Sequence, residues 1–349
     1  MLTSRLARRF FHADAHWRHL RRLGKVAVSL LGLLTMTFII GRVMPIDPVL
    51  SVVGPDADQA TYREVYHQLG LDRPIWTQYG YYLSHLLHGD LGRALLTGRP
   101  VVEDILRVFP ATVELATAAI VLGAVLGIPL GVLAAIRRGR WVDHLIRVTS
   151  LLGYSTPIFL VGMLALLLFY HYLGWSGGVG RMALGFEGVV KPVTGFLLID
   201  AALGGHWDVL RSAVRHLMLP ACILGAHSTA YISRMTRSFM LAQLSQEYIL
   251  TARVKGLSEM SVVWRHAFPN ILVQLLTVVA LVYGSLLEGA VLIESVFAWP
   301  GFGQYLTSSL LLGDMNAVMG CVLFVGLVFV VLNLITDSLY PIVDPRTRS

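Results

Sequence analysis

Residues 247–270 read EYILTARVKGLSEMSVVWRHAFPN, a polar and charged run between two apolar segments that are each long enough to cross a bilayer. A connection between two spans needs only a few turn residues, and this one is much longer. Helix-forming stretches flank Gly256, and the run stops at Pro269. The spacing predicts a helix-turn-helix element at a membrane surface, the kind of object another protein docks against.

The rest of the chain supports the membrane setting. Of its 349 residues 55% are hydrophobic and only 14% charged, with a mean hydropathy of +0.66. A soluble domain carries roughly a quarter charged residues, so this is an integral membrane protein. The net charge of +7 does not point to nucleic acid, because the basic residues cluster at the ends of apolar spans rather than forming a stripe. Cys222 and Cys321 both lie in apolar segments, which rules out a disulfide framework and a cysteine-based metal site. At the N-terminus Arg5, Arg8, Arg9, Arg18, Arg21, Arg22 and Lys25 precede the apolar run Val26–Gly41. Arg42-Val43-Met44-Pro45 follows instead of a small-x-small cleavage site, so the run reads as an uncleaved first span.

Spans of about 20 predominantly apolar residues are expected at 24–43, 111–136, 149–173, 217–235, 271–294 and 317–340. Val193–Leu203 is also apolar, but it is short and interrupted by Asp200, and reads as an interfacial or re-entrant piece. Basic residues at the N-terminal tail, Arg137–Arg140 with Arg147, the loop from Arg234 to Arg265, and Arg346 with Arg348 fall on one side for an even number of spans. That side is the cytoplasm, with both termini inside. The organisation is then a basic cytoplasmic segment 1–25, a first transmembrane helix 26–43, an external loop region 44–110, a five-helix core 111–340 with a cytoplasmic loop 236–270, and a tail 341–349. In 44–110, Asp72 is the expected N-cap of a helix with Pro74 in its first turn. Trp76, Tyr79, Leu83, Leu86 and Leu87 share one face of that helix, which either lies flat on the membrane or packs on the loop's own core.

Gly123, Gly127 and Gly131 recur every four residues and form a small-residue face that lets a neighbouring helix approach. Pro129 and Pro157 are expected to bend their helices. Two readings stand, intrachain packing or helices that move against each other during gating. Of the ionisable residues in or near spans, Glu114, His171, Glu294 and Asp337 are close enough to span ends to reach headgroups or water. His227 and Glu288 are deeper and either face a polar translocation path or bond within the bundle. This unpaired set argues against a proton-coupled carrier. No His-Glu-x-x-His, Gly-x-Ser-x-Gly or phosphate-binding Gly-x-x-x-x-Gly-Lys-[Ser/Thr] motif occurs. The chain does not itself hydrolyse nucleotide, and a membrane-embedded enzyme is disfavoured. A scaffold or receptor that only signals remains as a third class.

At Thr251-Ala252-Arg253-Val254-Lys255-Gly256, followed by Pro269, the loop resembles the "EAA" signature of ATP-binding-cassette importer permeases: Glu-Ala-Ala, three residues, Gly, and a later Leu-Pro. Ala252, Gly256 and Pro269 match, while Leu250 stands in place of Glu, Thr251 in place of the first Ala and Phe268 in place of Leu. The fuller string Tyr248–Leu257 is similar to the dipeptide/oligopeptide/nickel branch, which commonly lacks that Glu. Gly70-Leu71-Asp72-Arg73-Pro74, His88-Gly89-Asp90-Leu91-Gly92, Gly127-Ile128-Pro129-Leu130-Gly131, Gly153–Phe159, Thr194-Gly195-Phe196, Glu294–Gly303 and Asp344-Pro345-Arg346 continue the likeness in order.

The resemblance implies an all-α membrane protein, a six-helix type I importer permease with a cytoplasmic coupling-helix loop, in the bacterial cytoplasmic (inner) membrane. It implies a second permease subunit, two ATPase subunits that bind ATP and Mg, an external solute-binding protein, and no cofactor or metal on this chain. Thr251, Ala252, Arg253, Lys255, Gly256 and Pro269 are the implied coupling residues, with Arg253, Lys255 and Arg265 pairing with acids on the ATPase or serving ordinary positive-inside topology. The implied cargo is di- or oligopeptides, with nickel, a nickel chelate or another small solute as the alternative.

Overall fold

The computed structural model describes residue 24 and residues 27–41, 48–54, 56–68 and 70–343, with the side chains of 48, 51–52, 154, 288–289, 337 and 339–343 excepted. The basic N-terminal segment and the last residues of the tail therefore lie outside the described residues. Helices dominate throughout, and among the described residues the only β pairing is an isolated bridge between Arg93 and Pro100. The chain divides into two compact units, one drawn from 1–104 and 309–331, the other from 105–308 and 332–349.

In the first unit, α1 (Ala27–Gly41) is followed by α2 (Pro48–Val53), α3 (Gln59–Gln68) and α4 (Ile75–Leu87). The amphipathic helix expected at the external loop is α4, and it packs on α1. Tyr79 bonds Thr35 through its hydroxyl at 2.6 Å, and the Phe38 ring packs in tilted geometry against Tyr79 and Tyr82 with ring centroids 5.1 and 5.6 Å apart. Trp76 and Leu87, placed on the same face from the sequence, are exposed instead. Asp72 is not the N-cap. Pro74 occupies that position in extended backbone, and the Asp72 carboxylate turns to His67 Nδ1 at 3.0 Å. Within this unit Asp314, fully buried, accepts the backbone N–H groups of Leu95 at 2.6 Å and Ala317 at 3.1 Å.

The second unit is built on long helices: α5 (Val101–Ile136), the broken pair α6 (Trp141–Ser155) and α7 (Ile158–Ala165), and α9 (Trp207–Leu244). α7 continues as a π-helical turn to Tyr172, and the short α8 (Leu197–Leu203) precedes α9. After α9 come α10 (Glu247–Val254), α11 (Glu259–Ser261) with π and 3₁₀ turns to Ile271, α12 (Leu272–Gly289), α13 (Val291–Val296) and α14 (Phe302–Leu311), whereas α15 (Met315–Val343) belongs to the first unit as far as Val331. Four helical segments are long and apolar enough to span a membrane, Val101–Ile136, Trp207–Leu244, Glu259–Leu287 and Met315–Thr336, or five if the bent pair α6–α7 is one span. The first expected span is a shorter apolar helix of 15 residues. The helices overrun the expected bounds because hydropathy marks only the part suited to lipid, while polar turns at both ends continue the same backbone hydrogen bonding.

Proline acts differently at the two expected bends. α5 remains helical through Pro110 and Pro129, whereas the chain leaves helical geometry at Thr156 before Pro157 and bends sharply into α7. The small-residue face is a packing face against α9. A Cβ added at Gly123 would lie 2.6 Å from Ser228 Cβ, at Gly127 3.0 Å from Ile232 Cβ, and at Gly131 2.5 Å from the backbone oxygen of Ser233.

Candidate functional site: the two ends of α5

The 247–271 element is anchored by its inner face. Ile249 and Ala252 of α10, with Val262, Val263, Ala267 and Ile271 of the second limb, are buried with Val132 and Ala135 of α5, Met240 of α9 and Leu275 of α12. Removing these side chains from water contributes about 25 cal/mol for each Å² of apolar surface, which holds both limbs to three long helices. The outer face is different. Leu250 is 63% and Val254 81% exposed, and Met260 and Trp264 are exposed as well. Large apolar residues on the outer face of this anchored element are thus left uncovered by the rest of the chain.

The turn between the limbs needs glycine for its backbone and not for room. Gly256 has φ +77°, and a Cβ there would meet nothing within 4 Å. Its N–H closes the helix end on Arg253 O at 2.9 Å, and Leu257 N–H reaches Ala252 O at 3.3 Å. Across the turn Arg253 makes a two-pronged ion pair with Glu259, Nε to Oε1 at 2.8 Å and Nη2 to Oε2 at 3.1 Å. Asn270 Nδ2 donates to Tyr248 Oη at 2.9 Å and to His266 O at 2.8 Å, so a side chain beside Pro269 ties the second limb to the first.

The other end of α5 is held by buried polar groups. Glu294 is fully buried. Its Oε1 accepts from Thr112 Oγ1 at 2.6 Å and its Oε2 from Gln304 N–H at 3.0 Å, while Phe302 N–H donates to Thr112 Oγ1 at 2.7 Å. A Cβ at Gly301 would lie 2.5 Å from Glu294 Cδ, and one at Gly303 2.6 Å from Val291 Cα, so both glycines are required by close approach. Trp299 Nε1 donates to Ala111 O at 2.9 Å. Nearby, Glu114 accepts from Arg181 Nη2 at 2.5 Å and from Leu198 N–H at 2.9 Å. Asp200 accepts four hydrogen bonds, from the N–H groups of Val193, Thr194 and Gly195 and from Thr194 Oγ1. Burial works to raise the Asp200 pKa, but these hydrogen bonds outweigh it and hold the carboxyl below its ordinary value.

Residues 127–349 match the family model of the binding-protein-dependent transport system inner membrane component, and residues 18–116 match the model for the N-terminal part of such membrane components. The chain belongs to that family. This permease is 43% identical over 334 residues, 95% of its length and 97% of the relative's, to the probable D,D-dipeptide transport system permease protein of Escherichia coli K12. It is 42% identical over 329 residues, 94% of its length and 97% of the relative's, to the di/tripeptide transport system permease protein of Pseudomonas aeruginosa UCBPP-PA14. The solved inward-facing MetNI methionine ABC transporter shares the fold, with a TM-score of 0.50, 17% identity and coverage of 69% of this chain and 96% of that one. The protein is therefore a type I importer permease in fold and a transport subunit rather than an enzyme.

In this permease the expected coupling residues fall on one element but do different things. Ala252 is buried in its anchor, and Thr251 bonds its own helix through Oγ1 to Glu247 O at 3.1 Å. Arg253 is engaged with Glu259, Gly256 makes the turn, Pro269 sits in the 3₁₀ turn leading into α12, and Lys255 and Arg265 are exposed. His227 is half-buried on α9, close to the backbone of Gly153 on α6. The side chains of Glu288 and Asp337 lie outside the described residues. Glu114 and Glu294 correct the expectation that they reach headgroups or water, because both are buried and bonded within the unit. His171 is exposed as expected. Sequence reasoning missed Thr112 and Asn270, whose roles depend on contacts distant in sequence or across a turn. Glu259 carried a readable signal: it follows Ser258, whose Oγ accepts from Ser261 N–H at 3.4 Å as the N-cap of the second limb.

Proposed function

We propose that this chain forms half of the pore of an ATP-driven peptide importer and that the 247–271 element is its grip for an ATPase. In this reading it pairs with a second permease, two cytoplasmic ATPases that bind ATP and Mg, and an external binding protein. It spans the bacterial inner membrane with both termini in the cytoplasm. The observation that carries the reading is the contrast within the element, an inner face buried against α5, α9 and α12 and an outer face of exposed apolar side chains. Residues 259–287 run on as one helical segment through a π and a 3₁₀ turn, so a pull on the surface limb is passed to a spanning helix through continuous backbone. The peptide-permease names of the relatives at 42–43% identity support di- or oligopeptides over nickel.

Uptake in proteoliposomes holding the complete importer tests both parts. Gly256→Val strains the turn by roughly 1–2 kcal/mol and lowers peptide uptake about tenfold with the protein still inserted, whereas Gly256→Asn, which tolerates positive φ, keeps most of it. Unchanged uptake in a stably inserted Gly256→Val protein contradicts the coupling role. ATPase stimulation by a nickel-loaded but not a peptide-loaded binding protein contradicts the cargo.

A further inference from the structure

A cavity of about 560 Å³ lies within the first unit, walled by α4, by the loop after it and by the start of α15. Its charged groups stand at two ends of one face of α4. Arg73, in the turn before α4, reaches along the helix until its guanidinium lies 4.9 Å from the centre of the Tyr81 ring. Asp90, in the loop after α4, sets its carboxylate 3.2 Å from His85 Nδ1. Tyr81 and His85 are one turn apart on the same face, a rise of about 6 Å, so the two charges are separated by a distance on the order of 10 Å. Arg73 makes no ion pair among the described residues. Its neighbour Asp72 turns to His67 at 3.0 Å, the main cause of a lowered Asp72 pKa, with Arg73 the smallest. Asp90 Oδ1 accepts from Gly92 N–H at 2.9 Å. That bond, against the cost of burial and helped by His85, holds the Asp90 carboxyl below its ordinary value and so ionised at neutral pH. Arg93, the other cation close to Asp90, donates to Gly98 O at 3.2 Å. The Asp90 side chain is 58% exposed, which leaves lone pairs on its oxygens open.

The walls hold these groups in place. Gln78 Nε2 donates to Leu71 O at 3.3 Å and to Arg73 O at 2.8 Å, tying the Arg73 turn to α4. The buried Asp314 accepts from Leu95 N–H, tying the loop after α4 to the start of α15. The rest of the lining is largely apolar and aromatic, with Tyr82, Leu91, Met315 and Met319 among it, and methionine adapts to side chains of differing shape. Opposite charges at opposite ends select against a simple ion of either sign, since Arg73 repels a cation and Asp90 and Asp314 repel an anion. A free amino acid carries both charges on one carbon and does not reach both ends. An extended peptide adds about 3.3–3.6 Å per residue. Two or three residues therefore bridge the gap, with the terminal carboxylate at Arg73 and the terminal ammonium at Asp90.

We infer that this cavity is a binding site for free di- and tripeptides apart from the pore, with Arg73 holding the carboxylate and Asp90 the ammonium. The inference shares the cargo class of the proposed function but adds a site to it, and it is read by binding rather than by uptake. Equilibrium dialysis of isotope-labelled trialanine against the complete importer in detergent, without the binding protein, tests it. Trialanine is expected to bind at least about tenfold more tightly than alanine, and than trialanine blocked at both ends by N-acetyl and C-amide groups. Equal binding of either comparator overturns the inference, and this comparison needs no variant. Arg73→Gln is expected to weaken free trialanine about tenfold and to leave the C-amidated peptide unchanged, with Arg73→Lys recovering most of the loss. Asp90→Asn is expected to weaken free trialanine to a similar extent and to leave the N-acetylated peptide unchanged. A purely structural role weakens every ligand together, and that pattern overturns the inference. So does trialanine binding indifferent to both variants, which assigns the peptide to the pore. Displacement of trialanine by glycerophosphoethanolamine also overturns it, and assigns the cavity to a lipid headgroup. Peptide uptake that persists in an importer failing these tests leaves the proposed function standing and removes this site alone.

Discussion

The two ends of α5 solve the same problem, fixing a loop to a helix bundle, by opposite physics. Thr112 and Val132 lie roughly 30 Å apart along the helix at 1.5 Å per residue. At the first end, buried carboxylates carry the load: Glu294 bonds Thr112 and Gln304, Glu114 bonds Arg181 and Leu198, and Asp200 closes its own loop. At the second, aliphatic side chains from five segments fill a common core, and the polar groups stay at the surface. Directional bonds define one geometry and tolerate little change, because each broken pair leaves a buried group unsatisfied. Apolar packing is non-directional and lets an anchored element tilt as a body while its outer face stays open to a partner.

Deleting one member at each end sharpens this contrast. Glu294→Ala leaves the Thr112 hydroxyl and the Gln304 N–H without their acceptor and opens a cavity beside Gly301 and Gly303. It is expected to cost about 3 kcal/mol, seen as a lower unfolding temperature and reduced yield. Recovery of full stability would break the account of this end.

Asp200→Asn is expected to cost about 2 kcal/mol, because a neutral amide oxygen replaces a carboxylate that accepts four hydrogen bonds. The pH dependence follows from the direction of the shift. Since folding holds the Asp200 carboxyl below its ordinary value, its contribution is fully present above roughly pH 4 and is lost only as pH falls through the lower folded-state value. Hydrogen exchange at residues 193–195 should thus be unaffected between pH 7 and 5 after correction for intrinsic rates, and rise in the variant at neutral pH. A loss of protection in the unmutated protein between pH 7 and 5 would contradict the direction of the shift.

Arg253→Gln is the smallest change, about 0.5 kcal/mol, because its ion pair with Glu259 is exposed to solvent on both sides. A thermal melt that moves as far as that of Glu294→Ala would erase the distinction between the two ends.

The sequence makes the second end far more readable than the first. Gly256 between two helix-forming runs is a local signal that placed the turn, whereas Pro269 does not end the element but lies inside the continuous helical segment 259–287. The small-residue spacing of Gly123, Gly127 and Gly131 likewise announced a close helix contact, although not that α9 is the partner. Glu294 could not be read in the same way. Its acceptor role depends on Thr112 and on the backbone of Gln304, and hydropathy alone placed it at a span end facing water. Asp200 looked like an interruption in an apolar stretch, and its reason is the loop immediately before it. The boundaries of the long helices were misjudged for a similar reason, because polar turns extend α5 and α9 beyond their apolar centres.

Counting ATPase subunits that co-purify with the complete importer, from the unmutated permease and from Val254→Asp, tests the account most directly. Val254 is 81% exposed on the outer face of the 247–271 element, so the variant should fold and melt as the unmutated protein does. The account predicts that the ATPases fall away by about tenfold, as expected when a charge is placed in an apolar contact, while the second permease is retained. Full retention of the ATPases with the variant would contradict the assignment of this face as the grip.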